Sequence, residues 1–124
     1  VLIAVFISHG VCNELLEHCV LNHEVVLSKF ILDELKEKLT SKFKFTVREA
    51  NAVLRLIKSR SEVVATLPLD AAVCRDPDDD AIIATAIAGQ CACIITGDKD
   101  LLNLETVNGI HMLSPGCFWE FEQT

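Results

Sequence analysis

The chain has little of what disordered, fibrous or membrane-spanning proteins require. Its 124 residues include no tyrosine, one tryptophan, three prolines and five glycines, which is too little proline and glycine for a disordered or collagen-like chain. The longest apolar run, Val1 to Ile7, is far shorter than the roughly 20 residues that cross a bilayer, and no cationic flank makes it a secretory signal. We therefore expect one globular domain spanning residues 1–124, with no membrane segment.

The cysteine pattern argues against zinc-finger and disulfide-framework proteins. Six cysteines are present, but none belongs to a C-x-x-C pair. Cys91 and Cys93 share one face of a predicted strand, and without a second pair or a histidine at zinc spacing they are interpreted as core thiols. We therefore expect reduced thiols and a cytoplasmic protein. The histidines are isolated in the sequence and predict no nucleophile–base arrangement: His9, His18, His23 and His111.

Charge is distributed unevenly along the chain. The net charge of −7 excludes a protein that coats nucleic acid nonspecifically, because such binding is driven by lysine and arginine. Nine of the eleven basic residues nevertheless lie between Lys29 and Arg60, where four acidic residues oppose them, so this segment carries +5 and the remainder −12. The sequence predicts a basic helical region and an acidic cluster elsewhere.

Short apolar runs alternate with segments of helical periodicity. The predicted strands cover residues 1–6, 25–27, 63–65, 92–95 and 110–113. The predicted helices cover residues 11–21, 29–39, 47–59, 80–88 and 99–104, with a last one from Pro115. Ser28 is placed to cap the second helix, and Thr46 with Glu49 has the form of a capping box for the third. This alternation predicts a parallel sheet between helical layers, with functional groups at the carboxyl ends of the strands.

Two groups of aspartates lie at predicted strand-to-helix corners on that edge. Asp80 is the last polar residue before an apolar helix, and Asp98 follows a buried strand, so we expect the two side chains to meet. Clustered carboxylates repel one another unless a cation neutralises them, and oxygen ligands alone favour Mg²⁺ or Mn²⁺. The alternative is that acids at helix starts are caps. That alternative is favoured for Asp76, Asp78 and Asp79 and stays open for Asp80, Asp98 and Asp100.

Glu34 is a further candidate on the second helix. Its position flanks the apolar stripe centred on Leu35 and Leu39, so its side chain can reach the sheet edge, whereas Asp33 points to solvent. The alternative is a surface glutamate beside Lys38 at i+4.

Several blocks of the sequence together resemble the PIN-domain family, the PilT N-terminus nucleases that include VapC-type toxins. The blocks are Val1-Leu2-Ile3, Gly10-Val11-Cys12 with Glu14-Leu15-Leu16, Leu27-Ser28 with Ile31-Leu32 and Glu34-Leu35, Asp76-Pro77-Asp78-Asp79-Asp80 with Ala84 and Ala86, and residues 95–102, Ile-Thr-Gly-Asp-Lys-Asp-Leu-Leu. The last block is the most specific of them. The resemblance implies a three-layer α/β/α sandwich with a central parallel sheet.

The resemblance also implies the site. It places catalytic carboxylates and metal ligands at Glu34, Asp80 and Asp98, with Asp100 as a fourth ligand. Thr96 would assist the phosphate or the attacking water. The basic residues that would bind flanking phosphates are Lys36, Lys42, Lys44 and Arg48. The family's first acid precedes the residues matched by Val1-Leu2-Ile3, so we expect that this chain lacks the first few residues of its first strand.

The implied activity is hydrolysis of RNA phosphodiester bonds with Mg²⁺ or Mn²⁺. A toxin role would add a cognate antitoxin and a homodimer as partners. Two alternatives stay open. The chain could be a degenerate PIN-like module that binds RNA or a protein, or a phosphoryl-transfer domain of the receiver or haloacid-dehalogenase kind, which needs a nucleophilic aspartate at the end of the first strand.

Overall fold

A computed structural model describes residues 2–5, 18, 19, 21–69 and 71–123 of the chain. Within these residues, the strands are β1 (Leu2–Val5), β2 (Glu24–Ser28), β3 (Ser61–Val64), β4 (Cys93–Ile95), β5 (Thr106–Val107) and β6 (Ile110–Leu113). The helices are α1 (Lys29–Ser41), α2 (Val47–Ser59), α3 (Pro77–Ala88), α4 (Lys99–Leu102) and α5 (Pro115–Glu122). Residues 18, 19, 21 and 22 are also helical. The rest of the helix predicted over residues 11–21 lies outside the described residues.

The six strands form one sheet in the order β3-β2-β1-β4-β6-β5. Every neighbouring pair is parallel except β5 with β6, which is antiparallel. From the central strand β1 the chain first adds β2 and β3 on one side and then β4 and β6 on the other. The order therefore reverses between β1 and β4, and in open parallel sheets ligands bind outside the carboxyl ends of the strands at such a point.

Helices cover both faces of the sheet because successive strand residues point to opposite sides. On β2, Val25 and Leu27 pack with residues of α1, α2 and α5, including Ile31 and Phe118. Val26, between them, packs on the other face with residues of α3 and α4. The two apolar clusters confirm the prediction of an α/β fold built on a parallel sheet.

Helix starts follow the predicted capping residues. The side chain of Ser28 accepts a hydrogen bond from the Ile31 N–H at the start of α1. At α2 the capping box is complete, because Thr46 Oγ1 accepts from the Glu49 N–H and Glu49 Oε1 accepts from the Thr46 N–H. These bonds satisfy N–H groups that have no partner within the helix.

Strand β5, which forms a hairpin with the predicted strand β6, is an addition to the predicted strands. Asn108 and Gly109 connect Val107 to Ile110 with φ of 51° and 79°, as a two-residue type I′ turn requires. The Asn-Gly pair between β-branched residues was a usable signal in the sequence. Among the described residues, no helix is both long enough and apolar enough to cross a membrane.

Candidate metal centre

The loop after β4 presents two carboxylates at the carboxyl edge of the sheet. Thr96 Oγ1 accepts a hydrogen bond of 3.0 Å from the Asp98 N–H, and Asp98 Oδ1 accepts one of 2.9 Å from the Asp100 N–H. Asp98 is thereby the N-cap of α4. The cap predicted as an alternative is therefore present, and it holds the Asp98 side chain in a defined orientation next to Asp100.

The first turn of α3 supplies a third carboxylate. Asp76 is the N-cap, with its side chain accepting from the Asp78 N–H at 2.9 Å, and Pro77 occupies the first helical position. Asp79 then falls on the same helix face as the core residues Ile82, Ile83 and Ala86, because positions three, four and seven apart share a face. Its side chain is only 5% exposed.

Asp79, Asp98 and Asp100 form one group. Each offers a carboxylate oxygen, and the three oxygens lie within 4.8 Å of one another. Burial raises the pKa of Asp79 to about 6, and repulsion by Asp98, Asp76 and Asp100 adds to this effect. Three carboxylates this close carry charge that a divalent cation would neutralise.

Within the described residues, one basic side chain forms an ion pair with this group. Arg75 Nη2 donates a 3.0 Å hydrogen bond to Asp100 Oδ1, and both side chains are solvent-exposed. An exposed pair of this kind contributes little stability, so Asp100 can readily exchange Arg75 for another cation.

Glu34 approaches the same edge from α1. It is partly buried, and its pKa is raised first by this burial and then by the negative charges of Asp78 and Glu37. Lys38, the i+4 neighbour, acts in the opposite direction. Glu34 therefore faces the acidic first turn of α3, although it does not belong to the three-aspartate group.

A buried contact sets the position of α1 relative to α3. Thr85 Oγ1, on α3, donates a 2.7 Å hydrogen bond to Ser28 Oγ, and both residues are buried. Ser28 also caps α1, so one hydroxyl pair links the helix that carries Glu34 to the helix that carries Asp79. Sequence reasoning recognised Ser28 only as a cap.

The expected meeting of Asp80 with Asp98 requires correction. Asp80 turns to the loop before α3, where its Oδ1 accepts from the Cys74 N–H at 2.8 Å and from the Val73 N–H at 3.2 Å. Asp79, interpreted from the sequence as a cap, takes the place beside Asp98. One residue step along a helix rotates a side chain by about 100°, and for this reason Asp79 and Asp80 point in different directions.

The other residues implied for RNA lie in different environments. Thr96 is fully buried, and its hydroxyl accepts from the Asp98 N–H, so it fixes the backbone that carries this carboxylate and is not open to substrate, contrary to expectation. Lys36 lines an open groove of about 550 Å³ between α1 and α2. Further residues with basic side chains line this groove: Lys29, Arg55 and Lys58. Exposed at the turn between the helices and the start of α2 are Lys42, Lys44 and Arg48.

Comparison with known proteins agrees with this architecture. A comparison with curated proteins finds no match. A family model described as the PIN domain matches residues 1–100, a span that contains the acidic run before and within α3 and the loop that carries Asp98 and Asp100. The chain belongs to the PIN domain family.

Proposed function

We propose that this protein hydrolyses phosphodiester bonds in RNA with the help of a divalent cation held by its clustered carboxylates. The observation that carries the proposal is the group of Asp79, Asp98 and Asp100, with three oxygens within 4.8 Å at the carboxyl edge of the sheet. PIN domains are a nuclease family, generally metal-dependent and acting on RNA. The carboxylate group therefore lies at the edge of the sheet where an active site is expected from the fold and from the family.

The donor set fits a hard cation. Only carboxylate oxygens are offered, with no histidine or cysteine in the group, and such ligands suit Mg²⁺ or Mn²⁺. Asp79, Asp98 and Asp100 would hold the ion, and Glu34 would approach it from α1. Asp80 stays in the proposal as a residue that supports the loop next to the site. A bound ion supplies a more acidic water and stabilises charge on the leaving oxygen.

The protein's own side chains then carry out distinct tasks. Asp79 is buried, and its pKa of about 6 means that it holds its proton to a higher pH than an ordinary aspartate, so a bound cation would favour its ionised form. Asp98 is oriented by its cap to the Asp100 N–H, and its carboxylate accepts a proton from the attacking water. Arg75, beside Asp100, can turn to a phosphate of the substrate.

RNA would reach the acidic centre through the basic region of the chain. The groove with Lys36 and the exposed Lys42, Lys44 and Arg48 can neutralise phosphates on either side of the cleaved bond. Thr96 contributes indirectly, by orienting Asp98. This arrangement accounts for a chain that is acidic overall and basic between Lys29 and Arg60.

Further parts of the proposal rest on the resemblance of the sequence blocks to VapC-type toxins. We place the helices on both faces of the sheet in a three-layer α/β/α sandwich. The protein would be a cytoplasmic toxin, would pair with itself, and would be inhibited by a cognate antitoxin. Expression of the chain in a bacterial host should then arrest growth, and the D98N variant should not.

The direct test is cleavage of labelled single-stranded RNA in Mn²⁺ or Mg²⁺. The 124-residue chain should be compared with a chain extended by the codons upstream of Val1, because the resemblance places a first acid there. We expect metal-dependent fragments that are lost in D98N. The control variant E120Q removes an exposed carboxylate of α5, which does not line the α1–α2 groove, and should keep the activity.

Two results would contradict the nuclease proposal. Retention of RNA without cleavage by either chain would identify a degenerate binding module. Transfer of phosphate onto an aspartate would identify a phosphoryl-transfer domain instead.

A further inference from the structure

Two histidines that are isolated in the sequence meet one glutamate of the last helix. His18 Nε2 and His23 Nε2 each lie 2.5 Å from the same oxygen, Oε2 of Glu122. The three ligand atoms all lie within 4.8 Å of one another. Glu122 is 104 and 99 residues away from the two histidines along the chain, so only the tertiary structure produces this convergence.

The surroundings restrict how these side chains can move. The exposed fractions of the His18, His23 and Glu122 side chains are 30%, 13% and 23%. Aromatic rings flank the histidines, with Trp119 centred 4.7 Å from His18 and Phe118 centred 5.7 Å from His23. The group is therefore a partly buried cluster, and the neighbouring rings restrict the movement of both imidazoles.

We propose that His18, His23 and Glu122 form a second metal site, which binds a divalent transition ion of the zinc class. Two imidazole nitrogens and one carboxylate oxygen are the ligand composition of open zinc sites, in which water completes the tetrahedron. Imidazole ligands favour zinc, copper or nickel over magnesium. The site is chemically distinct from the aspartate group, where every donor is oxygen.

Binding would replace the two hydrogen bonds to Glu122 by bonds to the ion. Each imidazole then uses the Nε2 lone pair and carries its proton on Nδ1. The side-chain amide of Asn22 lies 3.3 Å from His18 Nδ1, and after a rotation of the amide its oxygen can accept that proton. The rotation gives up the 2.9 Å bond that Asn22 Nδ2 donates to the His18 carbonyl.

The neighbouring cysteine does not extend the ligand set. Cys19 is fully buried, and it does not belong to the group of ligand atoms that lie within 4.8 Å of one another. The consequence of the three-ligand site is structural: the ion would tie His18 and His23 to α5.

The test is calorimetric titration of the 124-residue chain with Zn²⁺ in excess Mg²⁺, which occupies the aspartate group. We expect one strong Zn²⁺ site in the wild-type chain. H23Q and E122Q should lose more affinity than the roughly 10- to 100-fold that removal of an outer-shell partner costs. E120Q, an exposed carboxylate on the same helix, should change the affinity less than twofold. The D79N/D98N variant should bind Zn²⁺ as the wild type does.

A spectroscopic measurement covers the case in which a variant fails to fold. In the wild-type chain, one equivalent of Zn²⁺ should shift the Nε2 nitrogen resonances of His18 and His23 and leave those of His111 unchanged. The proposal is overturned if those resonances do not move, if E122Q and E120Q bind alike, or if D79N/D98N abolishes Zn²⁺ binding.

Discussion

Asp79 and Asp98 reach the same point from two different helix starts, Asp79 from inside the first turn of α3 and Asp98 as the N-cap of α4. Asp79 is the more buried of the two, and its raised pKa reflects first its burial and then its neighbour. The adjacent Asp80 faces backbone N–H groups instead. Because Asp79 and Asp80 are adjacent and differ in environment, substitutions at the two positions can be compared directly.

The first prediction concerns cleavage by D79N and D80N. We expect D79N to lower the metal-dependent cleavage rate by about 10³-fold, because losing a metal ligand costs several kcal/mol of transition-state stabilisation. D80N should lower it less than about tenfold, since an asparagine oxygen can still accept from the Cys74 N–H. Single-turnover rates on labelled RNA measure both effects. The opposite ranking would show that Asp80 is the ligand.

The second prediction is a pH dependence of stability in metal-free protein. The pKa of Asp79 is about 6 in the fold against an ordinary 3.8, so between these values the native state holds more protons than the unfolded state. The free energy of unfolding should therefore fall as pH rises from about 4 to about 6, by roughly 1–3 kcal/mol, and then level off.

Urea denaturation across this pH range measures that slope. D79N should lose most of it and be more stable than the wild type at neutral pH without metal. D33N, which changes an exposed carboxylate, should keep it. Added Mg²⁺ should stabilise the wild type more above pH 6 than below, because Asp79 must lose its proton to bind. An unchanged slope in D79N would contradict the assignment.

The third prediction concerns the packing of Gly89 at the end of α3. A Cβ atom on Gly89 would lie 2.5 Å from Cγ1 of Val26, which is fully buried in β2. We expect G89A to destabilise the fold by about 1–3 kcal/mol through overpacking. A Cβ on Gly116, in α5, would meet nothing within 4 Å, so G116A should be neutral or stabilising. Thermal denaturation measures the midpoints of G89A and G116A. Equal midpoints would contradict the close packing of Gly89 against Val26.

The fourth prediction concerns RNA affinity. In the D98N background, K36Q should weaken binding to all single-stranded sequences alike and reduce the slope of log K against log salt by about 0.7. R60Q, at the end of α2 and outside the α1–α2 groove, should leave the slope unchanged. Fluorescence anisotropy at several salt concentrations tests this. An equal loss in both variants would indicate a nonspecific charge effect.

The elements of the fold were largely predictable from local signals. The capping box of Thr46 and Glu49 is confirmed because its two hydrogen bonds involve residues only three apart. The helix start at Pro115 is confirmed for the same reason, because Ser114 accepts from the Cys117 N–H. Strand β4 is confirmed because its continuous apolar run is buried on both faces. The sequence pattern predicts β6 but not β5, although Asn108 and Gly109 form a typical hairpin turn, because a two-residue strand produces almost no periodicity.

The sequence by itself determined that acids, and no other metal-binding side chains, would stand at the carboxyl edge of a parallel sheet. Only the tertiary structure decided which acid of the run 76–80 turns inward, because that depends on where Asp76 caps α3 and how the helix packs through Ile82 and Ile83. It also decided that His23 meets Glu122. A contact across 99 residues leaves no trace in local spacing, since it arises from the packing of helices that the sheet brings together.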